Sequence, residues 1–336
     1  MQVTAPEITW IMPVKNGMPF LPETLASIET QNEVSSEILV WDNGSIDGTV
    51  DELLRWIPAR IPGKVVLDRP QPTLAKSLAL LVQESRTAYC ARIDADDICA
   101  PGRLATQFEY MESHPETSLL GTQIVYIDPD GKDRVHQQTL PETLSDIIHG
   151  LLHGCPVCHP TWMFRRDDIL AVGNYDEGEP VREDVDLLMR LIISGRRVES
   201  LNQKLLRYRI HPKSFTQTNL RADPYTALIP LQSLSLRAEP FLSLSAIEVD
   251  RTLERKQGFS SSQYFRIVRH LKKLDPSQGY LRILSNSFLT AMIALGGGKR
   301  PLQQALLGAL LALRRNQWDV FRNQCKIAIL QALRRR

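Results

Sequence analysis

The sequence has few cysteines, little net charge and no long apolar run, and each of these absences excludes a class of protein. Its 336 residues contain 5 cysteines, which are too few and too scattered for a disulfide framework in a chain of this length. No uninterrupted apolar stretch reaches the roughly 18 residues that a membrane-spanning helix needs. The first seven residues also lack the basic flank and apolar run of a signal peptide, so we expect a cytoplasmic protein.

The net charge of +2 conceals an uneven distribution of charge along the chain. Acidic residues outnumber basic ones in residues 1–215, whereas lysine and arginine predominate in residues 216–336. The second region carries leucines at helical spacing, which predicts a basic, helical C-terminal region. Two interpretations of it stay open: peripheral contact with the inner face of the plasma membrane, or a helical subdomain packed on the first region. Its few aromatic side chains argue against nucleic-acid binding.

Residues 1–100 alternate between short strand-like and helix-like segments, which predicts an α/β fold with a mainly parallel sheet flanked by helices. Polar residues follow three of the predicted strands: Lys15 and Asn16 after the first, Asp42 after the second, and Asp94-Ala95-Asp96-Asp97 after the fourth. Because parallel strands end at the same edge of a sheet, we expect these residues to converge on one crevice.

The segment Asp94-Ala95-Asp96-Asp97 carries three carboxylates in four positions. Such a cluster is costly at a strand exit unless a cation neutralises it. The Asp-x-Asp spacing directs two carboxylates to the same side of an extended backbone, and Mg²⁺ and Mn²⁺ prefer such oxygen ligands. The segment therefore predicts a divalent metal site that handles a phosphate ligand, with an acidic surface turn as the alternative.

Four segments, in order along the chain, resemble the bacterial family 2 glycosyltransferases, which have the GT-A fold. The resemblance extends over about residues 8–211 and implies a catalytic domain at residues 1–215 followed by the helical region 216–336. The segments are residues 12–17 (MPVKNG), residues 40–49 (VWDNGSIDGT), residues 91–97 (ARIDADD) with the PGRL that follows, and a block from His159 to His211 that contains REDVDL and YRIH.

The resemblance implies an inverting, metal-dependent transfer of a sugar from a nucleotide-diphosphate donor, a UDP-sugar, to a hydroxyl of a cell-surface polysaccharide or lipid-linked glycan. By position, Asp184 matches the catalytic base, and Asp96 would hold the Mn²⁺ or Mg²⁺ ion with His211 close to it. Asp42 would accept a hydrogen bond from the base, and Asp94 would hold the ribose. The complete predicted nucleotide-sugar site consists of Pro13, Val14, Asn16, Asp42, Lys76, Asp94 and Ala95.

Two alternatives to a glycosyltransferase are a nucleotidyltransferase and a relative that binds nucleotide sugars without catalysis. A nucleotidyltransferase also uses paired carboxylates and a metal, but Lys15-Asn16-Gly17 is a poor phosphate loop for that chemistry. A non-catalytic nucleotide-sugar-binding relative would not need Asp184.

For several residues near the predicted site, the sequence also allows or favours a purely structural role. We interpret Asp97 either as a cap of the helix after Pro101 or as a carboxylate behind the metal ligands. His159 is expected to be a buried, hydrogen-bonded histidine. The tryptophans of the strand-like runs are expected to lie in the core; they are Trp10, Trp41 and Trp162.

Overall fold

The computed structural model describes residues 5–67, 73–144, 146–147, 155–176, 183–212 and 214. All of them belong to one compact unit of the chain. The predicted C-terminal region, residues 216–336, lies outside the described residues, so both interpretations of it stay predictions. No helix in the described part of the chain is long and apolar enough to cross a lipid bilayer.

Strands and helices alternate through the first part of the chain, as the sequence predicts. The elements are β1 (Ile8–Val14), α1 (Leu21–Glu29), β2 (Ser36–Asp42), α2 (Thr49–Trp56), β3 (Gly63–Val66), α3 (Leu74–Glu84) and β4 (Tyr89–Arg92). The chain continues with β5 (Ile98–Cys99), α4 (Arg103–Ser113), β6 (Thr117–Ile127), a 3₁₀ turn (His159–Thr161), β7 (Met163–Arg165), α5 (Arg166–Ala171), α6 (Glu183–Ile193) and β8 (Arg197–Arg209).

The described strands form one sheet in the order β3-β2-β1-β4-β7-β6-β8-β5. Strands β3, β2, β1 and β4 pair in parallel, and so do β6 and β8. Strand β7 is antiparallel to both of its neighbours, and β5 is antiparallel to β8. The predicted α/β fold with a mainly parallel sheet is therefore confirmed, with antiparallel pairs in the half of the sheet where the sequence shows no regular alternation.

The core lies between the sheet and its helices. Every residue of β1 is buried, which is typical of a parallel strand covered on both faces and explains its uninterrupted apolar sequence. Trp10, Trp41 and Trp162 have no exposed surface, so their predicted placement in the core is confirmed.

The register of the sheet brings three strand ends together. Val14 at the end of β1 lies opposite Asp42 at the end of β2, and the amide of Asn43 donates to the carbonyl of Val14 at 2.8 Å. Strand β4 pairs with the other side of β1 and ends at Arg92, two residues before Asp94. The loops after β1, β2 and β4 thus leave the same edge of the sheet.

Side chains of helix α1 and of a residue just beyond its end form hydrogen bonds along the loop after β4. Thr24 donates to the carbonyl of Ala95 at 3.0 Å, and Ser27 accepts the amide of Cys99 at 3.0 Å. One turn further on, Gln31 donates to the carbonyl of Ala100 and accepts the amide of Leu104, both at 3.0 Å. Thr24 and Ser27 lie about one turn apart on α1, and Gln31 follows shortly after its end, so α1 and the residues just beyond it hold the chain from the aspartate cluster to the start of α4.

Candidate active site

The aspartate cluster after β4 is assembled as the sequence predicts. Asp94, Asp96 and Asp97 each offer a carboxylate oxygen, and these oxygens lie within 4.8 Å of one another. Burial, together with the negative charges of the neighbouring carboxylates, raises the pKa of Asp94 and, more strongly, that of Asp97. A bound divalent cation would remove this repulsion, and the hard oxygen donors suit Mg²⁺ or Mn²⁺.

His211 lies beside the cluster although it is far away in sequence. Its Nε2 is 2.9 Å from Oδ2 of Asp96. Its ring packs against Phe20, with 4.7 Å between the ring centroids. The two residues predicted to hold the metal, Asp96 and His211, are therefore adjacent.

Asp97 is not a helix cap, so that interpretation was wrong. Helix α4 begins after Gly102, which makes no side-chain capping bond. The Asp97 carboxyl is instead buried: Oδ1 accepts the amide of Arg209 at 2.8 Å, and Oδ2 is buried with no hydrogen-bond partner. The alternative interpretation, a carboxylate behind the predicted metal ligands, is compatible with this burial and stays a prediction.

Arg92 supplies the positive charge next to Asp94. Its guanidinium donates two hydrogen bonds to the Asp94 carboxylate, at 2.9 and 2.7 Å, and its side chain is almost completely buried. Asp94 raises the pKa of Arg92, against the opposing effect of burial. The sequence alone did not single out Arg92, because an arginine at a strand end is common and its bidentate partner becomes visible only in the fold.

Asp42 bonds the loop after β2 through one carboxylate oxygen, and its other carboxylate oxygen has no hydrogen-bond partner. Its Oδ2 accepts the amides of Gly44 and Ser45, both at 3.0 Å. Its Oδ1 is buried and has no hydrogen-bond partner. A buried acceptor without a donor is costly, so Asp42 can accept one further hydrogen bond, and its predicted contact with the base stays a prediction.

Asn16 joins the loops after β1 and β2. Its amide donates to Oγ of Ser45 at 2.8 Å, and its side-chain oxygen accepts the amide of Ile46 at 2.9 Å. Asn16 has a φ of 56°, in the left-handed region that asparagine tolerates better than most residues. The side-chain oxygen of this predicted binding residue is thus engaged within the protein.

The other predicted nucleotide-sugar residues border the same loops. Pro13 and Val14 are buried at the end of β1, and Ala95 is buried within the aspartate cluster. Lys76 is half-buried in the first turn of α3, next to Ser77, whose hydroxyl bonds to the side chain of Asn43. The N-terminus of α3 therefore adjoins the loop that follows Asp42.

Asp184 faces the cluster from the start of α6. Its negative charge is among the causes that raise the pKa of Asp94, after burial and the nearer charge of Asp96. The thiol of Cys155 donates to the carbonyl of Val157 at 3.0 Å, and burial, followed by the negative charge of Asp184, raises the pKa of this thiol well above its ordinary value. Leu187 and Leu188 are fully buried and fix the helix, as their spacing predicts.

The carboxyl group next to Asp184 in the chain, that of Glu183, is buried, which the sequence did not predict. Glu183 is almost fully buried, and its pKa is raised to about 8 by burial and then by the charge of Asp184. Its Oε1 is 3.9 Å from Nδ1 of His159, whose Nε2 is 2.8 Å from the hydroxyl of Tyr175. Burial and the charge of Arg92 lower the pKa of His159, so this histidine is buried and hydrogen-bonded, as predicted.

The chain is similar to a known family of enzymes and to several of its members. The sequence profile of glycosyl transferase family 2 matches residues 9–173. The amylovoran biosynthesis glycosyltransferase AmsE of Erwinia amylovora is 31% identical over 193 residues, which make up 56% of this chain and 70% of AmsE. The chain belongs to glycosyl transferase family 2. A second relative, the O-antigen biosynthesis glycosyltransferase WbnJ of Escherichia coli, is 32% identical over 151 residues, 44% of this chain and 57% of WbnJ.

Solved structures show the same fold for this glycosyltransferase. S. aureus TarS 1–349 in complex with UDP-GlcNAc aligns with a TM-score of 0.58 at 17% identity, covering 95% of this chain and 90% of that chain. The alignment with the longer TarS chain has a TM-score of 0.55 at 19% identity and covers 54% of it, so the glycosyltransferase spans about half of that structure. The predicted GT-A-type fold and the enzyme class are confirmed.

Proposed function

We propose that this glycosyltransferase is inverting and metal-dependent, and that it moves a sugar from a UDP-sugar to a hydroxyl of a cell-surface polysaccharide or lipid-linked glycan. The observation that carries the proposal is the separation of its carboxylates into two sets. Asp94, Asp96 and Asp97 cluster beside His211, whereas Asp184 stands on a different element near the same cluster.

The first set suits the leaving group. Asp96 and His211 would hold Mn²⁺ or Mg²⁺ between them, and Asp97 would add negative charge from behind. When bound, such a cation neutralises the charge that develops on a departing diphosphate. Arg92 keeps Asp94 in place through its two hydrogen bonds, so Asp94 presents a fixed carboxylate toward the ribose in this proposal.

The second set suits the acceptor. An acceptor hydroxyl becomes an effective nucleophile as a positioned base takes its proton. Asp184 is not part of the three-carboxylate cluster, so we assign the proton to this carboxylate. One base on the face opposite the leaving group is what an inverting displacement requires.

Asp42 supports a donor whose base carries an N–H group. Its Oδ1 has no hydrogen-bond partner, and the N3–H of uracil is one such donor. UDP-GlcNAc, which TarS binds in its solved complex, is therefore the first donor to test. The names of AmsE and WbnJ, which refer to amylovoran and O-antigen biosynthesis, support an extracellular polysaccharide or lipid-linked glycan as the acceptor class.

The replacement Asp184→Asn tests the assignment of the base. Loss of general base catalysis costs about 10²- to 10⁴-fold in rate, so we expect sugar transfer to fall by that factor while UDP still binds in calorimetry. Asp51→Asn is the matched control, because Asp51 is an exposed carboxylate in the first turn of α2. Near-normal transfer by Asp184→Asn would reject the assignment.

Hydrolysis of the donor separates an enzyme from a protein that only binds nucleotide sugars. We expect the wild-type protein to release UDP slowly from the correct UDP-sugar without acceptor, since water can replace the hydroxyl. A panel of nucleotide sugars screened in this way, with and without Mn²⁺, identifies both the sugar and the base. Release of GDP instead of UDP would overturn the choice of uracil.

A further inference from the structure

Arg209, the last residue of β8, holds the aspartate cluster by its backbone and its side chain together. Its backbone amide donates to Oδ1 of Asp97 at 2.8 Å. Its Nε donates to the backbone carbonyl of Asp96, also at 2.8 Å. One residue thus fixes the carboxyl group of Asp97 and the main chain of the neighbouring metal-ligand candidate.

The rest of the Arg209 guanidinium is anchored to two other segments. Its Nη1 donates to the carbonyls of Asp128 and Pro129, at 3.3 and 3.0 Å, in the turn after β6. Its Nη2 donates to Glu23 of α1 at 2.5 Å. The Arg209 side chain is 1% exposed, so this arginine is fixed by protein on every side.

Phe20 links Arg209 to His211. The Cζ atom of Arg209 lies 4.8 Å from the centroid of the Phe20 ring, and the His211 ring packs against that ring at 4.7 Å. His211 in turn reaches Oδ2 of Asp96 at 2.9 Å. Arg209 and His211 therefore contact the same aspartate, the first through its carbonyl and the second through its carboxylate.

The charge of Arg209 by itself would oppose a cation. A positive group near a cation site repels the ion, and this repulsion is reduced here because Glu23 forms an ion pair with the guanidinium. Arg209 also uses no carboxylate oxygen of Asp96, so that carboxylate remains directed to His211 and the cation site. These contacts suit an arginine that positions the main chain of Asp96, and not one that acts on the cation through its charge.

We propose that Arg209 is a positioning residue that sets the spacing between Asp96 and His211 for a divalent cation. The inference rests on the proposed cation site. Arginine is suited to this role because its planar fork donates in several fixed directions, whereas lysine carries the same charge at a single point. Replacement of residues that orient metal ligands typically weakens metal affinity by about 10- to 100-fold.

The test compares Arg209→Lys with wild-type protein by electron paramagnetic resonance of free Mn²⁺, which measures Mn²⁺ binding without any turnover. We expect the Kd for Mn²⁺ to rise by about 10-fold or more in Arg209→Lys. The matched control is Arg165→Lys, since Arg165 also bonds backbone carbonyls, those of Thr117 and Met111, at 3.0 and 2.7 Å. We expect this control to lower the Tm and to leave Mn²⁺ affinity unchanged.

The outcomes separate this inference from the proposed function. Wild-type protein that binds no Mn²⁺ would overturn the cation site, and the inference with it. Wild-type binding together with unchanged affinity in Arg209→Lys would overturn the inference alone. If Arg209→Lys shows no cooperative thermal transition, Glu23→Asp replaces it, because it keeps the charge that pairs with Arg209 and shortens the side chain that anchors the guanidinium. We expect a smaller loss of Mn²⁺ affinity in Glu23→Asp, and an unchanged Kd there would contradict the positioning role.

Discussion

Replacing Glu183 by glutamine should make the protein more stable at alkaline pH. Glu183 is buried beside Asp184, and its pKa is raised from an ordinary 4.5 to about 8, first by burial and then by the Asp184 charge. At neutral pH the carboxyl is therefore protonated in the folded protein. Glutamine has nearly the same shape and no charge, so it mimics the protonated form at every pH.

Proton linkage gives the direction and the size of this difference in stability. Between pH 4.5 and about 8 the folded wild-type protein binds one proton more than the unfolded chain, so its free energy of unfolding falls as the pH rises. The contribution is fully present below 4.5 and is lost as the pH passes about 8. At about 1.4 kcal/mol per pH unit, the upper limit of the loss is on the order of 5 kcal/mol. Glu183→Gln has no such loss.

The assay is the Tm of both proteins from pH 5 to 9, with a chelator present to keep cations from the neighbouring aspartates. One kcal/mol corresponds to about 2–4 °C for a domain of roughly 200 residues, so the Tm of Glu183→Gln should gain several degrees on wild type across this range. Asp184→Asn provides a second check: removing its charge brings the pKa of Glu183 in the folded protein closer to 4.5, so the loss of stability is smaller and ends at a lower pH. Parallel Tm curves for Glu183→Gln and wild type would refute the raised pKa.

Three further predictions concern the donor, the cation and the C-terminal region. Asp42→Asn replaces the carboxylate that we propose accepts a hydrogen bond from the base. Because a hydrogen bond to a carboxylate contributes about 1.5–3 kcal/mol, we expect UDP to bind about 10- to 100-fold more weakly in calorimetry, and an unchanged Kd would contradict the role. Asp96→Ala should abolish Mn²⁺ binding and sugar transfer together, and transfer that survives without Mn²⁺ dependence would contradict the metal site. If the basic C-terminal region contacts membrane, deletion of residues 301–336 should lower sedimentation with anionic vesicles, and equal sedimentation would favour a region that only packs on the catalytic domain.

Much of the fold could be predicted because its signals are local. An apolar run such as β1 and the polar residues that follow it define a parallel strand and its loop without reference to the rest of the chain. The aspartate cluster was visible for the same reason, since Asp94, Asp96 and Asp97 are neighbours in sequence.

The partners of the site residues could not be predicted, because they come from distant elements. Arg209 is more than a hundred residues from the aspartates that it holds, and nothing in its own segment distinguishes it from an exposed strand-end arginine. Glu183 and Asp184 are adjacent carboxylates in sequence, and only burial separates the protonated one from the proposed base. The helix-cap interpretation of Asp97, one of the two left open, was wrong for a similar reason, since the carboxylate accepts an amide of β8.

The polar face of α1 has a consequence for engineering. Thr24 and Ser27 of α1, with Gln31 just beyond its end, bond the chain from Ala95 to Leu104, so the loop after β4 is tied to this segment by several hydrogen bonds. Each of these bonds is made to a main-chain atom of the loop, so a chimera that imports other loop side chains can keep them if the backbone path is unchanged. We therefore expect this loop to accept substitutions from relatives but to reject insertions or deletions between Ala95 and Leu104.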